Sequence, residues 1–163
     1  MPATYEPIAT TTLGSATATV TFSSISGSYT DLVLVCAVKN TANTGDEVAF
    51  QLNSDTGSNY SRTRIFGDGS TAQSGRNLNT TKGALGINST AQFSTVIANF
   101  QNYSNGTTYK TVVSRGSDAS NYVSAYVSLW RNTNAITSIV LLPDSGTTFT
   151  SGSTFTIYGI KSA

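Results

Sequence analysis

The chain has 163 residues, 38% of them hydrophobic, 10% charged, a formal net charge of +1, one cysteine and no histidine. That length supports one well-buried core and is too short to expect two. A near-neutral balance with Lys and Arg scattered along the chain gives no electrostatic footprint for nucleic acid or for an anionic membrane, so neither is expected as a partner.

Ser and Thr make up roughly 30% of the residues, where a typical soluble protein carries about 25% charged residues. Hydroxyls and amides therefore cover the surface in place of salt bridges. Low charge signals disorder only when apolar content is low too; here the apolar residues recur with period 2, which argues for a packed β domain. The expectation is an all-β chain: a single antiparallel β-sandwich over residues 1–163, jelly-roll-like, with about ten strands.

In chain order, MPATYEPIA has neither a basic segment nor an apolar run of the kind a secretory signal carries, and no stretch approaches a membrane span. The product is expected to be made and kept in cytoplasm unless a larger particle carries it out. Residues 1–14 read as a lead-in or arm. Within them Tyr5–Leu13 suits a sheet edge, because Pro7 cannot donate to a ladder. Ala16–Ile25 reads as a half-buried strand, with Ala16, Ala18, Val20 and Phe22 on one face. Asp31–Lys39 is apolar on both faces, Leu32, Leu34, Cys36 and Val38 on one and Val33, Val35 and Ala37 on the other, and is expected between two layers. Cys36 there reads as a small buried residue, since a reactive thiol needs an electropositive, partly exposed setting.

Asn40–Asp46 is expected to loop out before a strand at Val48–Asn53. NSDTGSN (Asn53–Asn59) is a turn by composition. Tyr60–Phe66 follows as a strand with Tyr60, Arg62 and Arg64 on one face. From Gly67 to Lys82, GDGSTAQSGRNLNTTK loses periodicity and carries one large apolar residue, Leu78. Residues 67–83 are expected to form a long loop, functional or reaching a neighbour. Strands resume at Ala84–Ile87 and Gln92–Gln101, the latter expected to pair with Thr108–Ser114 through a type I′ turn at Asn105-Gly106. Gly116–Asn121 leads into Tyr122–Arg131, where Val123, Ala125, Val127 and Leu129 share one face and Tyr122, Tyr126 and Trp130 the other. Ala135–Leu142 is an apolar run stopped by Pro143, and Thr154–Lys161 closes the pattern.

The aromatic row has two readings. Tyr122, Tyr126 and Trp130 lie against a second layer or a neighbouring protomer, or they form an exposed platform on which sugar rings stack.

Catalytic chemistry is sparse. Without histidine, Ser-His-Asp and Cys-His hydrolysis, the usual zinc ligand sets and the commonest general base are all absent. What remains is a pair of acids among Glu6, Asp31, Asp46, Glu47, Asp55, Asp68, Asp118 and Asp144, most of them in turns or at strand ends. No catalytic residue, cofactor or metal ligand is assigned. Asp55 and Asp68 sit in oxygen-rich Gly turns that would suit a weak calcium site, but neither has the alternating ligands and closing Glu of an EF-hand. The N-x-S/T triplets at Asn59, Asn79, Asn88, Asn102 and Asn105 are background in a chain so rich in Ser and Thr.

The stretches YEPIATTTLGSATATVTFSSISGSYTDLVLV, NSDTGSNYSRTRIFGDGS, FQNYSNGTTYKTVVSR and FTSGSTFTIYGIKSA together resemble small virion proteins of tailed phages infecting cyanobacteria and other aquatic bacteria. The resemblance spans almost the whole chain, most of all in T-I-Y-G-I-K and N-Y-S-R…G-D-G-S. It implies a structural or tail-associated virion protein with a jelly-roll or related sandwich fold, and it specifies no functional residue. Three functions follow as expectations. The first is a non-catalytic homotrimer that decorates and cements the head against the major capsid protein or another virion protein. Its contacts would fall in Tyr5–Leu13 and Gly67–Lys82, with Tyr5, Pro7, Asp68, Arg76 and Leu78 as candidates. The second is a tail-associated host-recognition module binding glycans through Tyr122, Tyr126 and Trp130 or the loops Asn53–Asn59 and Ser117–Asn121. The third is an enzyme acting on polysaccharide through paired acids. No heptads or collagen-like repeats are present for a shaft.

Overall fold

A computed structural model describes residues 4–41, 45–118 and 122–161. Twelve strands and no helix account for its regular structure: β1 Tyr5–Thr12, β2 Val20–Phe22, β3 Asp31–Val38, β4 Asp46–Leu52, β5 Tyr60–Gly67, β6 Ala72–Thr80, β7 Gly83–Asn88, β8 Ser94–Phe100, β9 Lys110–Asp118, β10 Tyr122–Trp130, β11 Ile139–Pro143 and β12 Thr154–Ile160. They form two antiparallel sheets, ordered β1-β12-β3-β8-β9-β10-β5-β6 and β2-β11-β4-β7. The pairs β3·β8, β4·β7 and β5·β6 nest inside one another while the chain alternates between sheets. This is a jelly-roll-like sandwich, as the alternation of apolar and hydroxyl residues implies.

The core lies between the layers. Leu32, Leu34, Cys36 and Val38 from β3 meet Phe50 and Leu52 from β4, Ile139 and Leu141 from β11, and Phe155 and Ile157 from β12, all of them fully buried. Burial pushes the Cys36 thiol far up from its ordinary value, so it stays protonated and inert. The other face of β3 corrects the sequence expectation. Val33 is nearly buried, but Val35 and Ala37 are only half-buried. They point away from the second sheet, so β3 is a one-sided core strand that happens to carry apolar residues outside as well.

Two close approaches set the spacing of the parts. At Gly86 and Gly116 the sheets meet backbone to backbone: a Cβ on Gly86 would stand 3.2 Å from the Gly116 Cα. Tyr29 lies flat on Gly159, where a Cβ would fall 2.3 Å from the ring. The Lys161 ammonium stands 5.6 Å from the centre of that ring and 2.8 Å from Glu6. The terminal Y-G-I-K phrase thus clamps β1 and β12 together.

Other expectations shift in detail. Ala16–Ile25 contributes only Val20–Phe22 as a strand, and Ala16 and Ala18 are exposed. The loop expected at Asn40–Asp46 ends before Asp46, which begins β4 together with Glu47, and both are buried. Ala135–Leu142 is strand only from Ile139, with Ile136 plugging the core from an irregular segment. Asn105-Gly106 forms no type I′ turn: the positive φ falls at Asn102, and the Asn105 side chain accepts from the Thr107 and Thr108 amides instead. A longer loop is favoured because Tyr103 is pulled into the core beneath it, its hydroxyl donating to the Ser26 carbonyl. Lys110, buried under the same loop, donates to the carbonyls of Asn105, Thr108 and Thr133 at 2.6, 2.7 and 3.0 Å. All three ammonium protons are satisfied.

The stretch 67–83 is largely strand rather than loop. Asp68 makes a tight turn, accepting from the Ser70 and Thr71 amides at 2.9 and 2.7 Å, and the chain returns as β6 along β5. Both faces of β6 meet water, so no period-2 signal exists to be read. Residues 1–14 likewise form no free arm from Tyr5 onward: β1 is paired along its length with β12 and bulges between Pro7 and Ala9. β1 and β6 close opposite ends of the large sheet.

Candidate functional site: the two faces of the large sheet

Strand β10 decides the matter of the aromatic row. Trp130 and Tyr126 are buried and Tyr122 is half-buried, all turned toward the second sheet. Trp130 stacks on Tyr60 with centroids 6.4 Å apart and donates its indole N–H to Asp55 at 2.7 Å. The Tyr60 hydroxyl in turn donates to the Asp55 carbonyl at 3.0 Å, and burial pushes its pKa up to about 12. As a sugar platform, Tyr122, Tyr126 and Trp130 are therefore corrected: the rings build the interior. The loop Asn53–Asn59 is committed to the same structure. The Asp55 carboxylate accepts from Trp130, from the Asn59 amide and from the Gly57 N–H. Burial alone would raise its pKa, but these donors outweigh it and hold the group below the carboxylate range. Of the loop Ser117–Asn121, residues 119–121 lie outside the described residues.

Between those aromatics, Ser124 and Ser128 reach across to the free edge of β7. Ser128 Oγ donates to the Ala84 carbonyl at 2.8 Å and accepts from the Ala84 amide at 3.2 Å, while the Ile87 amide donates to Ser124 Oγ at 3.4 Å. Hydroxyls of one sheet thereby stand in for a missing strand in the other and satisfy the Ala84 and Ile87 amides and the Ala84 carbonyl of β7, which is buried on both faces.

Beside β7 the interior turns ionic. Glu47 on β4 accepts through Oε1 from the Arg64 guanidinium and, at 3.0 Å, from the Tyr126 hydroxyl. Its Oε2 stands 2.8 Å from Arg62 in an ion pair without hydrogen-bond alignment. Arg62 also reaches Asp144 at 3.3 Å, and Lys82 sits 2.9 Å from the same carboxylate. Asp144 would be raised by burial, but the hydrogen bond and charge of Lys82 together with the Arg62 charge prevail and lower its pKa. Two carboxylates thus share one guanidinium, with two further cations around them. At Asp144 the cations favour the ionised acid, whereas a general acid needs its carboxyl raised toward neutrality. No group of three or more Cys, Asp and Glu suited to a metal occurs among the described residues. This cluster was hidden in sequence because its members come from four separate segments and because Arg62 and Arg64 alternate with Ile65 in the wrong sense for a half-buried strand.

The outer face of the large sheet is the opposite of its interior. Ile65, Val113, Val123 and Val127 are 62%, 40%, 65% and 49% exposed. Ile65, Ala72, Gln73, Val123 and Ala125 line a trough of about 660 Å³ with Arg115 at its side. Arg115 makes no hydrogen bond or ion pair among the described residues. Of the candidate contact residues, Tyr5 and Pro7 lie on the edge strand β1, Arg76 and Leu78 on the edge strand β6, and Asp68 at the turn that starts β6. Tyr5 is 60% and Leu78 55% exposed.

No family profile matches the chain, and no curated protein does. Among solved structures it is similar to the galectin LEC-6 of Caenorhabditis elegans, with 8% identity, a TM-score of 0.35, and coverage of 88% of this chain and 90% of that one. A superposition that loose carries no argument about function.

Proposed function

We infer that this chain is a non-catalytic structural protein of a phage particle, a symmetric homotrimer that decorates and cements the head against the major capsid protein. The virion setting rests on the resemblance of the sequence. The observation that carries the structural role is the combination of two open sheet edges with an apolar outer face, in a molecule whose charged interior is neutralised by its own residues. Open edges and contiguous exposed apolar surface are costly in an isolated protein and serve in an assembly. An edge contact between β6 of one copy and β1 of the next is heterologous, and a heterologous contact whose rotation closes makes a ring. Tyr5, Pro7, Arg76 and Leu78 would lie in that joint.

Purified heads with and without the protein, heated or osmotically shocked, test the reading: heads carrying it should survive harsher treatment. Equal survival, together with a monomeric mass for the purified chain, overturns it. The tail-associated glycan reading has lost its aromatic platform, and Phe66, the aromatic residue that borders the trough, packs its ring against the Ala84–Ile87–Tyr126 cluster and under Arg64.

A further inference from the structure

Arg115 sits in the middle of the apolar patch on the outer face with no acceptor among the described residues; Asp118, three residues further along β9, is buried, and the nearest acid by register that is not buried is Asp68. Arg115 on β9 is in register with Ala125 on β10, and Ala125 with Ile65 on β5; Asp68 follows Ile65 by three residues. With strands about 4.8 Å apart and a rise of about 3.3 Å per residue, Arg115 and Asp68 stand about 14 Å apart along the sheet. They are too far apart to meet within one copy.

We propose that a second copy of this chain seats on the outer face of the large sheet across a two-fold axis, with Arg115 of each copy paired to Asp68 of the other. A two-fold axis lying in the contact plane brings each position onto its mirror position across the axis, so a contact made once is made twice. If Arg115 and Asp68 are to pair, the axis must bisect the line between them at right angles. On the register given, that bisector runs obliquely over Val123 and Ile65. Among the described residues these are the two most exposed large apolar ones. Each would pack on its own counterpart, and the partner's β5–β6 hairpin would cover Val113 and Val127. One placement chosen for charge alone therefore also buries the apolar surface that otherwise lacks an explanation.

The chemistry at the two ends is compatible. Asp68 Oδ1 is occupied by its own turn, but Oδ2 accepts only from the Thr71 hydroxyl and has a lone pair left for a guanidinium. The contact uses the flat face of β5, β6 and β10 and not the open backbone of an edge, so it is a different contact from the ring joint and goes beyond the head-decorating role. A lone protomer would become a dimer.

Light scattering and sedimentation of the full chain across a wide concentration range should show a step that doubles the mass. Arg115→Asp should raise the concentration of that step by about tenfold or more, and Asp68→Arg should do the same. Combining the two reverses both charges and should restore it. Because Asp68→Arg also disturbs a turn, Val123→Asp is the companion: it lies on the axis, leaves the turn intact and should abolish the step. No doubling in the unmodified chain overturns the proposal, as does a step unmoved by Arg115→Asp and Val123→Asp. A charge swap no better than its single variants, in chains whose melting is unchanged, overturns the Arg115–Asp68 pairing. Survival of the shocked heads reports on the head-decorating role separately.

Discussion

Along β10 the inner and outer faces of the large sheet both carry apolar residues, and they do different work. On β10 the inner row is Tyr122, Ser124, Tyr126, Ser128 and Trp130, in which every polar atom on Ser124, Tyr126, Ser128 and Trp130 has a named partner across the sandwich. The outer row is Val123, Ala125 and Val127, with no polar atoms to place and with substantial exposure at both valines. Aromatic and hydroxyl side chains hold the two layers of one copy in a single register because each hydrogen bond fixes a direction. Valines fix no direction. They favour burial against whatever apolar surface is available, which is what a face awaiting another molecule requires.

The largest effect should come from cutting the inner row. Trp130→Ala removes a fully buried ring stacked on Tyr60, strips the Asp55 carboxylate of one donor, and should cost about 3–5 kcal/mol. With total stability of about 5–15 kcal/mol, the variant should melt far below the parent in a thermal or urea titration. A loss under about 1 kcal/mol would mean that the ring is not in the interior.

Next in size is the ionic corner. Glu47→Gln preserves shape but leaves Arg64 without a carboxylate and Arg62 with only Asp144. Breaking a buried pair from one side strands the remaining charge, so a loss of about 3 kcal/mol is expected. The same thermal or urea titration measures it, and an unchanged melting curve would mean that water already reaches these groups.

How much of this was visible in the sequence depends on which face is asked about. The all-β class, the edge position of Pro7 and the buried Cys36 follow from period-2 alternation and from proline and thiol chemistry, and they hold. The direction of β10 could not be read, because both its rows are apolar and alternation has no polar side to mark. On β5 the pattern misleads more actively: Arg62 and Arg64 face inward because Glu47, brought from another sheet, neutralises them, while Ile65 faces out. Their partner lies 15 and 17 positions away, and a pairing at that distance leaves no local trace. β6 was missed for the converse reason, since a strand wet on both sides has no periodicity. In the same way the hydroxyls Ser124 and Ser128 read as spacers, although they serve as the edge partner of β7.

The smallest effect belongs to the outer row. Val127→Thr exchanges one methyl for a hydroxyl at nearly constant volume and keeps the β-branched shape that a strand favours. At a position already half in water the hydroxyl is solvated in the folded and unfolded chain alike, so folding stability should stay within about 0.5 kcal/mol of the parent. The measurement belongs at a concentration low enough for any pair of copies to have separated; there, a loss above about 1 kcal/mol would mean that Val127 is part of the protomer's own core and that the two faces do not differ as described. At higher concentration the same substitution places a hydroxyl under the neighbour's hairpin with no acceptor provided for it, and the association step should move modestly upward. A residue that is nearly silent in folding and audible in assembly is what distinguishes a surface kept for a second copy from one that merely tolerates water.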